Sequence, residues 1–275
     1  MEILQTLVIT GGSSGIGRAT ATLFSERGWR VFELSRRDVV ESQESRVKSQ
    51  EARGEIRHIY CDVCDETSVR EAIDSVLEQT DHIDVVISNA GFGISGPVEF
   101  TEIRDAQRQM DVNFMGAVRL TQAVLPQLRK QHSGRIIFTS SVAAILSVPY
   151  QSFYSASKAA INALALALAN EVRAFGIRVS VMMPGDVSTG FTDARSKGTK
   201  GQDIYCSAEK AVSAMERDER NGMTPQQMAR LLYRIATCRS PKPQYVGGGI
   251  YRIFCLLDRL LPKRLVNWIE GKMYC

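Results

Sequence analysis

The sequence predicts an α/β fold: one doubly wound, Rossmann-type domain with a central parallel sheet, a loop-helix insertion late in the chain and a C-terminal helical tail. Three observations carry this. Apolar runs of strand length alternate with amphipathic stretches of helix length over the first two thirds of the chain. Those strand runs are apolar on both sides, as strands covered by helices on each face must be. No repeat, low-complexity linker or apolar run of membrane-spanning length interrupts the series. A chain of 275 residues buries roughly three quarters of its unfolded surface and needs no disulfide or metal to hold a core.

Taken in order, residues 3–9 (ILQTLVI) read as a buried strand and 15–28 as a helix closed by Gly28. Residues 30–35 read as a strand, 38–53 as a charged helix, 55–60 as a strand, 65–80 as a helix and 83–88 as a strand. A long helical stretch covers about 101–131, followed by strand 135–140, helix 152–175 and strand 177–183. Right-handed crossovers between parallel strands then wind the sheet doubly. Residues 186–222 are polar and lack strand periodicity, so they read as a loop-plus-helix excursion over the mouth of a site. The domain spans 1–249, and 250–275 form an amphipathic basic tail.

Composition narrows the function classes. Apolar residues make up 44% and charged residues 23%, which excludes disordered and disulfide-scaffold proteins. A net charge of +4 is too small to argue for nucleic acid. The chain opens without a basic segment or cleavage site, and its six cysteines form no framework, so reduced thiols in the cytoplasm are expected. Cys61 and Cys64 have CxxC spacing but no second pair, and no metal site is expected. His58, His82 and His132 read as surface residues.

Thr10-Gly11-Gly12-Ser13-Ser14-Gly15-Ile16-Gly17 follows the first strand directly and opens a helix. Glycines let the backbone turn sharply and let a pyrophosphate approach, and the helix start offers unpaired N–H groups. This strand–turn–helix arrangement is that of a Rossmann-type dinucleotide site. The second strand ends Glu33-Leu34-Ser35-Arg36-Arg37. An acid there binds a ribose 2′-hydroxyl, whereas arginine takes a 2′-phosphate. Ser35 stands where the acid would be, followed by Arg36 and Arg37, so NADP(H) is expected. Glu33, on the same strand face, keeps NAD(H) as the alternative.

Tyr154 and Lys158 sit at i and i+4 near the start of an apolar helix and share its face. A phenol has an ordinary pKa of about 10. A nearby ammonium is expected to lower it, so that the tyrosine can exchange a proton with a carbonyl or alcohol oxygen. Ser141 lies 13 residues earlier at a strand end, where ligands bind in open α/β sheets. Its hydroxyl could hold the substrate oxygen against the phenol.

Together these motifs resemble the short-chain dehydrogenase/reductase family from residue 3 to about 190. Residues 10–17 look like the family's cofactor turn, with Gly11, Ser13, Ser14, Gly15, Ile16 and Gly17 in binding positions. Asp62 and Val63 resemble its adenine-contacting strand end, and Ser88-Asn89-Ala90-Gly91 its NNAG motif with serine in first place. Asn113 matches the asparagine whose bent helix holds a proton-relay water. Ser141, Tyr154 and Lys158 match the catalytic set, and Pro184, Gly185, Val187 and Thr189 match the PGxVxT stretch beside the nicotinamide. Ser35 with Arg36 is similar to NADP-preferring members. The resemblance implies hydride transfer between nicotinamide and a carbonyl carbon, with Tyr154 as proton donor, Ser141 orienting the oxygen and Lys158 on the nicotinamide ribose. It also implies a homodimer through the long helices near 101–131 and 152–175.

The segment between Ser141 and Tyr154 is mostly apolar, and Phe92-Gly-Ile94-Ser-Gly-Pro-Val98 follows the fourth strand on the same edge. An apolar wall favours a hydrophobic ketone or alcohol. GFGISGPVE looks like the 17β-hydroxysteroid and retinol dehydrogenase branch, with a sphingoid-type 3-keto lipid reductase as the nearest alternative. A catalytically silent NADP-binding regulator and a redox-neutral epimerase or lyase are the rival classes. In the tail, Leu256, Leu257, Leu260, Leu261 and Leu265 read as one face, with Arg259, Lys263 and Arg264 interleaved and Pro262 breaking the helix. Such a segment with Trp268 fits peripheral membrane contact, a cap on the substrate mouth, or packing on a partner subunit.

Overall fold

The computed structural model describes residues 4–37, 54–201 and 203–274. The expected helix over 38–53 lies outside the described residues. Strand β1 (Thr6–Thr10) is buried at every residue and therefore occupies the middle of the sheet. It leads through a glycine turn into helix α1 (Gly15–Glu26) and returns as β2 (Arg30–Ser35). β3 (Glu55–Tyr60), α2 (Glu66–Leu77) and β4 (Val85–Ser88) follow. α2 starts where the Asp65 carboxylate accepts from the Thr67 and Ser68 amides, a side-chain cap that satisfies two otherwise open donors.

The long helical stretch is three pieces. α3 (Ile103–Met110) passes into a π turn at Asp111–Met115, and α4 (Gly116–Lys130) continues from it. β6 (Gly134–Thr139), α5 (Ser152–Glu171) and β7 (Ile177–Pro184) complete the expected series. A two-stranded ribbon joins β5 (Ile94–Ser95) to β8 (Ser196–Lys197) beside it. The excursion after β7 carries α6 (Ala208–Arg220). Besides the ribbon strands β5 and β8, α7 (Pro225–Thr237) and β9 (Gln244–Gly247) had no counterpart in the sequence reading. The tail is two helices, α8 (Gly249–Leu260) and α9 (Lys263–Tyr274), and Pro262 separates them as expected.

Among the described residues the main sheet has seven strands in the order β3-β2-β1-β4-β6-β7-β9, all paired in parallel. Strand alternation splits the core into two layers. Val8, Phe32, Val86 and Phe138 pack under α2, α4 and α5. Leu7, Ile9, Val31 and Ile87 pack under α1 and α7. The order reverses between β1 and β4, and a crevice opens outside the carboxyl ends of strands at such a switch point.

Two expectations change. His58 is not a surface bystander, because its Nδ1 lies 2.6 Å from the Glu33 carboxylate. The leucine face of the tail divides within α8 itself, because adjacent positions point about 100° apart around a helix. Leu257 and Leu261 border the crevice, while Leu256 and Leu260 face outward.

Candidate active site

A cleft of about 1640 Å³ runs along the carboxyl ends of the strands. Of the catalytic and cofactor-binding residues that the family resemblance implied, all but Gly17 and Asn113 line it. At its first end the chain turns with φ of +66° at Gly11 and +52° at Gly15, a region that L side chains rarely adopt. Gly17 lies behind this turn, and a Cβ there would sit 2.1 Å from the Gly11 carbonyl oxygen. Thr10 and Asn89 staple the turn: the Asn89 and Ala90 amides donate to Thr10 Oγ1, and Asn89 Nδ2 donates to the Thr10 and Gly11 carbonyls. Ser14 makes no side-chain cap bond at the start of α1, so the first-turn amides stay open toward the cleft. That is a cradle for a pyrophosphate, and the residues present fit a dinucleotide.

Beside it, Ser35 Oγ donates to the Arg37 carbonyl at 3.1 Å, and Arg37 Nη2 reaches Ser14 Oγ at 3.5 Å. Arg36 Nη1 stands 3.9 Å from the Asp62 carboxylate with an exposed side chain. Glu33 does not line the cleft. It is 1% exposed beneath Gly12 and turned to His58. Burial pushes the Cys61 thiol up to about 12 and the Cys64 thiol up to about 11, which leaves both protonated and unreactive.

At the other end, β6 delivers Ser141 and α5 delivers Tyr154 and Lys158. The Ser141 and Tyr154 hydroxyls are hydrogen-bonded, and Ser141 Oγ also accepts from the Ala143 amide at 3.1 Å. Lys158 is 4% exposed. Its Nζ donates to the Thr139 carbonyl at 2.9 Å and lies 5.7 Å from the centre of the Tyr154 ring. Asn113, in the π turn, bonds the Phe92 amide and carbonyl and Ser157 Oγ. Gly91 separates it from Lys158: a Cβ there would lie 3.1 Å from Asn113 Oδ1 and 3.5 Å from Lys158 Nζ.

The electrostatics differ from the expectation of an acidified phenol. Burial pushes Tyr154 up to about 12, and the Ser141 hydrogen bond offsets only part of that. The Glu219 and Asp186 charges push the same way, and Arg195 opposes them. Burial also pulls Lys158 down to about 8. Desolvation therefore outweighs the pairing of phenol and ammonium here.

Sequence reasoning missed four charged or phenolic groups around Tyr154. Asp186 lines the cleft and accepts from the Tyr251 hydroxyl, while burial raises its pKa. Glu219 accepts from Thr192 Oγ1 at 2.7 Å and pairs with Arg195, which is buried. The Arg195 guanidinium lies 5.8 Å from the Phe191 ring centre, and that ring lies 5.7 Å from Tyr154. Asp186 stood inside the proline-glycine stretch and was legible by position alone. The others are tertiary pairs with no spacing signal.

Beyond Tyr154 the cleft wall is apolar, formed by Val142, Leu146, Phe191 and Met215 and continued by Phe254, Leu257 and Leu261 of the tail. Helix α9 packs on α6, and α8 packs on β9.

Known proteins resemble this chain over most of its length. A short chain dehydrogenase family model matches residues 5–200. A 3-ketodihydrosphingosine reductase of Bacteroides thetaiotaomicron is 38% identical over 268 residues, covering 96% of each chain. Estradiol 17-beta-dehydrogenase 1 of Rattus norvegicus is 34% identical over 201 residues, covering 71% of this chain and 58% of that one. The crystal structure of a short-chain dehydrogenase from Streptomyces avermitilis superposes with a TM-score of 0.83 at 28% identity, covering 99% of this chain and 98% of the other.

Proposed function

Since the chain belongs to the short-chain dehydrogenase/reductase family, we propose that this oxidoreductase uses NADP(H) to interconvert a ketone and a secondary alcohol on a long hydrophobic substrate, in the manner of a 3-ketosphingoid lipid reductase. The observation that carries the reading is the hydrogen-bonded Ser141–Tyr154 pair with buried Lys158 against the tyrosine ring, at the far end of the cleft from the phosphate turn. The nicotinamide, when bound, supplies or accepts the hydride.

The chain's own residues supply the rest. Gly11 to Ile16 and the open start of α1 hold the pyrophosphate. Arg36 and Arg37 suit a ribose 2′-phosphate, and the commitment of Glu33 to His58 removes the acid that would favour a free 2′-hydroxyl. Asp62 and Val63 would take the adenine side; Asn89, Ala90 and Gly91 the middle of the cofactor; Pro184, Gly185, Val187 and Thr189 the nicotinamide side. Ser141 orients the substrate oxygen. Tyr154, protonated at neutral pH, gives that oxygen its proton in the reductive direction. Lys158 would hold the nicotinamide ribose, and the π turn at Asn113 would hold a water through which, by way of Lys158, the proton on Tyr154 is restored. A π turn suits this because it frees backbone groups from the α ladder.

Two observations favour a sphingoid-type lipid over a compact steroid or retinoid. The cleft continues under the tail, so an acyl chain has apolar wall along its length. Asp186 and Asp218 line the same cleft, which suits the amine that a sphingoid base carries beside its oxygenated carbon. The family also implies a homodimer through α4 and α5; Met115, at the end of the π turn that leads into α4, and Leu166 on α5 are exposed. The test is NADPH consumption with a long-chain 2-amino-3-ketone. Tyr154→Phe is expected to cut kcat by about 10²–10⁴-fold while NADPH binding, followed by fluorescence, stays intact. Wild-type turnover in that variant refutes the assignment.

A further inference from the structure

We propose that the outer face of the α8–α9 hairpin docks on an anionic lipid bilayer, so that the substrate mouth opens at the membrane surface. The hairpin has two sides. Its inner side lines the cleft with Phe254, Leu257, Leu261 and Val266. Its outer side presents an apolar stripe to solvent, with Leu256 55%, Leu260 69% and Trp268 61% exposed, and Ile253 and Leu265 beside them.

Charge on the hairpin is sorted by side. Arg252, Arg259, Lys263, Arg264 and Lys272 are exposed. The two described acids turn inward: Asp258 is 8% exposed, and Glu270 lines the cleft. Lys263 Nζ reaches back across the Pro262 break to both Asp258 oxygens, at 2.6 and 2.7 Å, and so fastens the two helices to each other. The outer face thus presents large apolar groups together with the exposed cations Arg259, Arg264 and Lys272 and, among the described residues, no exposed acid. That pattern fits the headgroup region of an anionic membrane. Neither helix, at 12 residues each, can cross a bilayer. A second copy on this face would set the same cations against themselves across a two-fold axis, which like-charge repulsion opposes.

Docking rests on this surface alone. Its use in lipid delivery rests on the proposed hydrophobic-substrate reading. The experiment is flotation of the full chain, with NADPH, on vesicles of phosphatidylglycerol and phosphatidylcholine in equal parts and on phosphatidylcholine alone. Of the two tryptophans, Trp29 is in the core, so a blue shift of fluorescence reports Trp268 entering the interface. Wild type is expected to float and shift with the anionic vesicles only. Arg259→Glu with Arg264→Glu, and separately Leu260→Ser with Trp268→Ser, are expected to lose at least about tenfold in partitioning. Both doubles are expected to keep wild-type turnover of a short water-soluble ketone, since none of these side chains lines the cleft. A wild-type chain that stays in solution with anionic vesicles overturns the proposal, as does undiminished flotation of the charge-reversed double. Self-association that these substitutions abolish, without vesicle binding, assigns the face to a second copy and also overturns it. Vesicle binding without turnover of any ketone leaves docking supported and refutes the enzymatic reading instead.

Discussion

Lys158 sits 4% exposed against Tyr154 and donates to the Thr139 backbone carbonyl, and burial pulls its pKa from 10.5 to about 8. Folded, it binds fewer protons than the unfolded chain between those two values, so its effect on stability is unfavourable below about pH 8 and fades as pH rises toward 10.5. The full difference is on the order of 3 kcal/mol. Lys158→Met, which keeps the stem and removes the charge, is expected to raise the Tm of the ligand-free protein at pH 7 and to lose that advantage near pH 10.5. A Tm difference that does not change with pH would show that the lysine is not held against its own burial. Arg36 and Arg37 carry a second expectation at this scale. A charge-assisted contact to a 2′-phosphate contributes about 1.5–3 kcal/mol, or roughly 10- to 150-fold in kcat/KM for NADPH over NADH. Arg36→Ala should erase most of that ratio, and a wild-type enzyme that favours NADH contradicts the NADP assignment. Ser141, Tyr154 and Lys158 were legible because a strand end and an i, i+4 step are local geometry. Tyr251–Asp186 and Arg195–Glu219 were not, because their partners stand 65 and 24 residues apart and only the folded chain brings them together. The acidified phenol was misjudged for a related reason: spacing reveals a neighbouring charge but not how much water the fold removes from both groups.

The glycine turn and the π turn are the two elements that set the site, and the sequence exposes them unequally. The turn is visible because each glycine answers a steric demand. Gly17 has no unusual φ, yet a Cβ there would meet the Gly11 carbonyl oxygen at 2.1 Å. Because that obstacle is backbone, the turn itself must move. Gly17→Ala is expected to cost roughly 1–3 kcal/mol in urea unfolding and to weaken NADPH binding in a titration; a variant with wild-type affinity would mean the turn tolerates displacement. The π turn at Asp111–Met115 is invisible by contrast. It shifts backbone partners by one residue without changing the polar and apolar pattern, so the stretch read as one long helix. β9 escaped for its length, since four residues with an exposed first position give no alternation to detect. α7 was legible in principle, because Thr224 and Gln227 form a capping box with Pro225 following the cap.

At the scale of the whole molecule the cleft joins two halves with different origins. The sheet, through the order reversal between β1 and β4, fixes the dinucleotide half. The excursion after β7 and the α8–α9 hairpin build the other half, where Met215, Phe254, Leu257 and Leu261 continue the wall past Tyr154. Alternating strands and helices announce the first half in any chain of this class. The second depends on where a kinked tail comes to rest, and a helical leucine pattern is equally satisfied by facing a cleft, a partner or a membrane. If the halves are functionally separate, a change in the tail's inner wall should affect long substrates and spare everything else. Leu257→Ser with Leu261→Ser removes two apolar side chains that an acyl chain would touch, and fully burying one such side chain is worth about 1.5–3 kcal/mol. KM for a long-chain ketone is therefore expected to rise by roughly tenfold or more, with NADPH affinity and kcat on a short ketone unchanged. Were KM to rise equally for short and long ketones, the tail would be acting on the catalytic groups, through Tyr251 and Asp186, rather than on the substrate chain.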